Sequence, residues 1–237
     1  DPEYAESVEE WKERIRNVAL HGEDASHFQH VQRYLKELDA KGLDVAFQFM
    51  VRLGEWTLDE NLEILANQTP TVFSEEVLEE ARQAGERLET VLQESDRVDL
   101  TEWPCHSIDD PDTTEIDDAL SWRAVEGGYE LAVHIADASA LVTPDLENLE
   151  KEIRYRATSV YLPDFKVRMV PENLSDDALS LKQGVSRPAF TFLVKVDENG
   201  KLLESKIQTS VIKVEERLDY DMADQRVAEG QDYWSTF

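Results

Sequence analysis

The sequence predicts an α+β chain, with a small all-helical domain over residues 1–97 followed by a mixed α/β domain over residues 98–237. Three observations carry this reading. Apolar residues recur at helical spacing through the first hundred positions, the period changes to two after about residue 97, and glycine turns separate the strand-like runs.

Taken in order, Ser7 with Glu10 reads as a capping box before Trp11, Ile15 and Val18. Phe28, Val31, Leu35 and Leu38 form a helical stripe that stops at Gly42, and Ala46, Met50 and Leu53 form another that stops at Gly54. Thr57 with Glu60 reads as a second capping box before Leu62 and Leu65. Ser74 opens a longer acidic helix whose stripe is Val77, Leu78, Ala81, Leu88 and Leu92. The turns at Gly42 and Gly54 permit a helix-turn-helix, but residues 57–70 carry no basic side chain for a recognition helix. A packing or partner-binding helical module is the favoured expectation. His21, His27 and His30 lack metal-ligand spacing and read as surface or cap residues.

The second domain opens on a predicted hairpin, in which Ala119 to Val125 returns through Glu126-Gly127-Gly128 into alternating Tyr129, Leu131, Val133 and Ile135. A helix is expected from Asp145 to Ala157, and a second hairpin pairs residues 189–196 with 202–214 across Asn199-Gly200.

The net charge of −28 opposes nonspecific binding of a polyanion over the whole surface, so any nucleic-acid contact must be local. The acidity is uneven. Arg123 is the only Lys or Arg between 102 and 150 against thirteen acids, whereas residues 151–187 hold seven basic residues against five acids. The single cysteine, Cys105, excludes an internal disulfide framework and reads as a small buried side chain in a reducing compartment. No run is long and apolar enough for a membrane span, so a cytoplasmic chain is expected, and the start at Asp1 without Met suggests sequence upstream.

Six carboxylates, Asp109, Asp110, Asp112, Glu115, Asp117 and Asp118, crowd one run between Ile108 and Ala119. An EF-hand fails here, because counting from Asp110 puts Glu115 where glycine belongs and Ser121 where the bidentate glutamate belongs. Two alternatives stay open: a solvated turn on a very acidic protein, and a site for hard divalent cations serving phosphoryl transfer. Asp110 and Asp112, flanking Pro111, suit a turn. Asp109, Glu115, Asp117 and Asp118 are the better ligand candidates, because Ile108 and Ile116 can anchor in the core and fix their direction.

Five ordered motifs then carry a resemblance. Ser107 to Pro111 with Asp117 to Leu120, His134 to Asp137, Tyr161-Leu162-Pro163, Met169 to Ser175, and Ser180-Leu181 with Gly184 and Arg187 resemble the first half of the catalytic domain of the ribonuclease II and ribonuclease R (RNB) family. The resemblance implies a processive 3′→5′ exoribonuclease that releases nucleoside 5′-monophosphates from single-stranded RNA, using two Mg²⁺ ions for which Mn²⁺ can substitute. Asp109 and Asp118 would ligate magnesium directly. Asp117 and Glu115 would complete the site, holding the second ion or the terminal nucleotide.

Tyr161 would stack on the 3′ nucleotide. Arg156, Lys166, Arg168 and Arg187, with Arg154 and Lys182, would contact phosphates. His134 is expected to be a hydrogen-bonded core residue, Asp137 a support to the ligands, and Trp103, Trp122 and Trp234 core or interface residues. Glu115 departs from the family's usual Asp. The remainder of the family's catalytic domain, an arginine-bearing basic segment and an S1 domain are not within these residues. The competing expectation is a catalytically silent RNA-binding or assembly protein that keeps the fold.

Overall fold

The computed structural model describes the backbone of residues 2–37 and 44–230, and the side chains of residues 7–36 and 45–230. It divides into two compact units at Pro70/Thr71, upstream of the expected 97/98 division. The expected Gly42 stop, Leu38 and Trp234 lie outside the described residues. Among the described residues no helix is long and apolar enough to cross a membrane.

The first unit holds α1 (Pro2–His21), α2 (Phe28–Glu37), α3 (Asp44–Arg52) and α4 (Leu62–Ala66). Its core is largely the predicted stripes: Ile15, Val18, Val31, Leu35, Ala46 and Met50, closed by Trp56. Leu53, expected on that stripe, is exposed. The helix starts differ from expectation. α1 begins at Pro2, so Ser7 sits inside the helix and does not cap it. Half of the second capping box forms: Glu60 accepts from Thr57 N at 3.2 Å, but the cap is Asn61, whose side chain accepts from Ile64 N at 3.2 Å. The end of α3 is as predicted. Gly54, at φ +75°, lets its own N–H reach Val51 O while Glu55 N reaches Met50 O.

The second unit begins with α5 (Glu75–Glu86), capped by Ser74, and α6 (Leu88–Leu92). There follow β1 (Val98–Asp99), β2 (Cys105–Ile108), β3 (Asp118–Val125), β4 (Gly128–Ala136), α7 (Ala138–Leu141), α8 (Glu147–Arg156), β5 (Val160–Tyr161) and β6 (Lys166–Val167). A π-helical turn (Leu174–Ala178), β7 (Ser186–Asp197), β8 (Leu202–Lys213), β9 (Glu216–Leu218) and α9 (Tyr220–Glu229) complete it. α5 was grouped by periodicity with the preceding helices, yet it packs here. Val77, Ala81 and Ala84 share a core with Leu141, Leu149 and Leu174, which later elements supply. Leu78 is left exposed.

Seven strands form one sheet in the order β1-β8-β7-β4-β3-β2-β9, with β1/β8 and β2/β9 parallel and the remaining pairs antiparallel. Both predicted hairpins are present. At the first, Gly127 adopts φ +77°, and a Cβ on Gly128 would lie 1.9 Å from Val196 O, so both glycines are required.

The alternation in β4 marks a strand, but the buried face is the one with the smaller side chains. Ala132 and His134 are buried on the face that also carries Ala189 and Thr191, whereas Val133, Ile135, Phe190 and Phe192 are partly exposed on the opposite face. Leu100, Ile116 and Leu181 cover the small-residue face, which also buries Cys105. Burial pushes the Cys105 thiol up to about 11.

A polar chain crosses this buried face. Ser121 Oγ lies 2.9 Å from His134 Nε2, His134 Nδ1 lies 2.8 Å from Thr191 Oγ1, and Thr191 Oγ1 lies 2.6 Å from Ser210 Oγ. Ser210 donates onward to Ala189 O at 3.3 Å. With that terminal donor fixed, Thr191 donates to Ser210, His134 carries its proton on Nδ1, and Ser121 donates to Nε2. His134 is thus the hydrogen-bonded core histidine that the sequence suggested.

Burial lowers the His134 pKa to about 4, and the buried His106 shifts in the same direction. In the unfolded chain a histidine titrates near about 6.5, so the unfolded state binds more protons between those values. Stability should therefore fall as pH drops from about 6.5 to about 4, by at most about 3 kcal/mol from His134, and level off below. Urea unfolding across that range, beside a His134→Gln variant with a flatter slope, checks it.

Candidate active site

The acidic run is a loop joining β2 to β3, and it is fastened along its length. At its start Asp109 N donates to Leu218 O at 3.1 Å, continuing the parallel β2/β9 pairing. Asp110-Pro111-Asp112-Thr113 then makes a turn closed by Thr113 N on Asp110 O at 3.0 Å, which agrees with the turn role expected of Asp110 and Asp112. Arg217, on β9, donates from one Nη2 to the carbonyls of Asp110, Pro111 and Thr113 at 2.9, 3.0 and 2.8 Å.

Beyond the turn, the buried Ser180 hydroxyl accepts from Ile116 N at 3.0 Å and donates to Thr114 O at 2.9 Å, while Leu181 N donates to Ile116 O at 2.8 Å. The Ile116 side chain is buried in the core, as expected. Asp117 O accepts from Ala136 N at 2.8 Å, and β3 begins at Asp118. The carboxylates therefore project from a rigid frame at the lip of the sheet.

The four candidate carboxylates form one electrostatic cluster, in which Glu115 also meets cations. Asp109, Asp117 and Asp118 act on one another through space. Burial first, then the Asp118 charge, raises the Asp109 carboxyl above its usual range, and Arg217 opposes this. Burial first, then the charges of Glu115, Asp118 and Asp109, raises Asp117. Asp109 Oδ2 and Glu115 Oε1 are each buried without a hydrogen-bond partner.

Glu115, with its side chain 8 % exposed, also meets groups outside the run. Its Oε2 accepts from the Tyr161 hydroxyl at 2.8 Å, and its Oε1 lies 3.2 Å from Lys166 Nζ and 4.0 Å from Arg168 Nε. The Tyr161 ring is outward and 68 % exposed, while burial of its hydroxyl and the bond to Glu115 raise its pKa to about 12. Among the described residues, no three His, Cys, Asp or Glu side chains are gathered closely enough to hold a metal ion.

The expected phosphate contacts divide. Lys166 and Arg168 lie beside Glu115, with Arg168 making a bidentate pair with Asp176 at 3.1 and 2.7 Å. Asp176 also accepts from Thr114 and Ser175, and the pair holds its carboxyl well below the usual range.

Arg156 and Arg187, by contrast, are spent within the fold. The Arg156 side chain is 2 % exposed, donates to Glu152, Arg168 O and Val72 O, and stacks 3.8 Å over Phe73. Arg187 is buried and donates to the carbonyls of Asp177, Ser180 and Ser186 and to the Asp177 carboxylate. Their guanidinium groups are occupied by backbone carbonyls, so neither is placed to take a phosphate. Arg154 and Lys182 pair with Glu150 and Asp177. Asp137 is buried against Arg97 at 2.9 Å rather than supporting a carboxylate of the loop. Trp122 is buried, as expected, and Arg123 stacks 4.0 Å over Trp103.

Sequence reasoning missed Arg217 and Ser180 as supports of the loop. The only available signal was the Ser180-Leu181 pair; Arg217 lies about a hundred residues from its acceptors and follows no local pattern. Replacing Arg217 with Ala leaves three carbonyls without their shared donor. Amide exchange over residues 110–114 should accelerate by roughly tenfold or more, with little change in β4 or β7. Hydrogen-exchange mass spectrometry reads this directly.

Comparison with known proteins places this geometry. A family profile described as the RNB domain matches residues 97–236, and one described as a double HTH domain matches residues 1–62. The latter bears out the helix-turn-helix form that the sequence permits. Ribonuclease R 2 of Lactococcus lactis is 36 % identical over 180 residues, covering 76 % of this chain and 27 % of that protein.

Among solved structures, an active-site mutant of the Dss1 exoribonuclease from Candida glabrata shares the fold at TM-score 0.71 and 17 % identity, covering 96 % of this chain and 32 % of that one. Yeast Ssd1, described as a pseudonuclease, matches at TM-score 0.54 and 20 % identity over 64 % of this chain and 18 % of that one. The chain spans about a quarter of the length of the curated relatives it matches. With the profile match covering more than half of its residues, the chain belongs to the RNB family, whose relatives at this level of identity are named ribonuclease R and ribonuclease II.

Proposed function

We propose that the chain carries the metal-holding part of a 3′→5′ exoribonuclease that hydrolyses single-stranded RNA to nucleoside 5′-monophosphates. The observation that carries this reading is the trio Asp109, Asp117 and Asp118 on a fastened loop, two of them raised by burial and then by neighbouring carboxylates, Glu115 among them, and one with a buried oxygen that has no hydrogen-bond partner. The three carboxylates are not gathered closely enough in this structure to hold an ion between them, but an all-oxygen donor set with uncompensated negative charge has the chemistry of a hard divalent-cation site once an ion draws it together, and magnesium suits it best. When bound, such ions supply a nucleophilic water and stabilise charge on the phosphate.

The chain's own residues do the remainder. Asp109, Asp117 and Asp118 hold the cation, Ile116 and Ser180 fix their direction, and the exposed Tyr161 ring offers a stacking face to the terminal nucleotide. Lys166 and Arg168 set a cationic wall behind it.

A second reading is a silent RNA-binding protein that keeps the fold, and the likeness to a pseudonuclease supports considering it. Retention of acids at Asp109, Asp117 and Asp118 favours the enzyme. The test uses the full-length protein with 5′-labelled single-stranded RNA. Shortening from the 3′ end in Mg²⁺ but not EDTA, with mononucleotide 5′-phosphates released, is the expected result; intact RNA that is nevertheless bound selects the second reading.

A further inference from the structure

We infer that Glu115 is a positioning residue for Tyr161 and Lys166 and not a ligand to the metal. The inference rests on the proposed function in taking Tyr161 to face the RNA. Three observations lead to it.

First, both oxygens of Glu115 face partners outside the acidic run: Oε2 accepts from the Tyr161 hydroxyl at 2.8 Å, and Oε1, which has no hydrogen-bond partner, lies 3.2 Å from Lys166 Nζ and 4.0 Å from Arg168 Nε as an ion pair. Its charge is met by those two cations, and it also acts on Asp117 through space. Second, the chain around it is fixed. Ser180 binds Thr114 O on one side and Ile116 N on the other, so the backbone at 115 is held and Glu115 approaches the trio only by a side-chain rotation that breaks its bond to Tyr161.

Third, side-chain length decides the reach. An aspartate at 115 would withdraw its carboxylate by one C–C bond, about 1.5 Å, turning a 2.8 Å hydrogen bond into a gap. The glutamate is thus the residue that spans from the loop to Tyr161. Tethered by its hydroxyl, the exposed ring is held in one orientation, and Lys166 lies 5.5 Å from its centroid. A ring fixed in advance loses less freedom when a base stacks on it, so Glu115 sets affinity for the 3′ end.

The test separates metal from RNA. In calorimetric Mg²⁺ titrations of the full-length protein without RNA, Glu115→Gln should bind within about twofold of the parent, while Asp117→Asn loses about tenfold or more. In cleavage assays, Glu115→Asp and Tyr161→Phe should each raise KM about tenfold with kcat within about threefold, and the double variant should be no worse than either. A ligand role predicts the opposite, with Glu115→Asp neutral. The inference is overturned if Glu115→Gln weakens Mg²⁺ binding as Asp117→Asn does, or if the two KM effects multiply.

Should the parent fail to cleave RNA, the functional reading fails on its own. The Glu115–Tyr161 coupling is then read as RNA affinity in EDTA, where multiplied effects again overturn it. Tyr161→Phe removes one hydroxyl and leaves the ring, which keeps the test valid if a Glu115 variant misfolds.

Discussion

Replacing Asp117 with Asn is expected to lower Mg²⁺-dependent RNA cleavage by roughly a thousandfold or more while leaving the fold and RNA binding in place. Asp117 follows the buried anchor Ile116, and its backbone carbonyl is bonded to Ala136 N at 2.8 Å. Neither support involves the carboxylate. The carboxylate itself is raised by burial and by Glu115, Asp118 and Asp109, so its charge works against the folded state when no cation is present.

Asparagine keeps the shape and removes that repulsion. Without metal the variant should melt no lower than the parent; with Mg²⁺ the parent should gain stability that the variant does not. The pairing of lost cleavage with unlost stability distinguishes a functional charge from a structural one. Single-turnover cleavage and thermal melts, with and without EDTA, supply both readings.

The largest structural effect is expected just past the end of β4, at Asp137. Asp137 accepts from Arg97 at 2.9 Å and from Ser139 at 2.6 Å, and the side chains of the ion pair are each 5 % exposed. Removing one member strands the other. Asp137→Ala should cost about 3–5 kcal/mol, because the guanidinium keeps only its bond to Glu94 at 2.8 Å and cannot regain its water. Replacing both, as Arg97→Met with Asp137→Leu, should recover most of the loss, since an apolar pair avoids the desolvation that the ions require. Urea unfolding of the two single variants and the double variant measures this, and equal losses in all three would show that the pair contributes little beyond its packing.

Much of this architecture was legible from local patterns. Helical spacing marked α1 to α3, and the glycines at 127, 128 and 200 marked both hairpins, because turns and periodicities are encoded within a few residues of where they act. Which face of the sheet is buried was not legible. Val133 and Ile135 outrank Ala132 and His134 in apolarity, but the choice depends on Leu100, Ile116 and Leu181, brought from distant segments to cover the smaller residues.

The placement of α5 was hidden for the same reason, since its partners Leu149 and Leu174 follow it by some sixty residues or more. At the site, the acidic loop and its anchor Ile116 were readable because charge and apolar residues alternate in one run. Its supports were not. Arg217 is a lone basic residue in sequence and a triple hydrogen-bond donor in space, while Arg156 and Arg187 looked like phosphate contacts and are consumed by backbone carbonyls. A charge in a sequence shows its sign but not its exposure.

The central claim is that Asp109, Asp117 and Asp118 together hold the divalent cation. The most direct measurement is a Mn²⁺ titration of the full-length protein followed by electron paramagnetic resonance, beside a variant carrying Asp109→Asn, Asp117→Asn and Asp118→Asn. The account predicts protein-bound Mn²⁺ that Mg²⁺ displaces and that is lost in the triple variant while its far-ultraviolet circular dichroism is unchanged. Equal Mn²⁺ binding by the folded triple variant, or none by the parent, would contradict it.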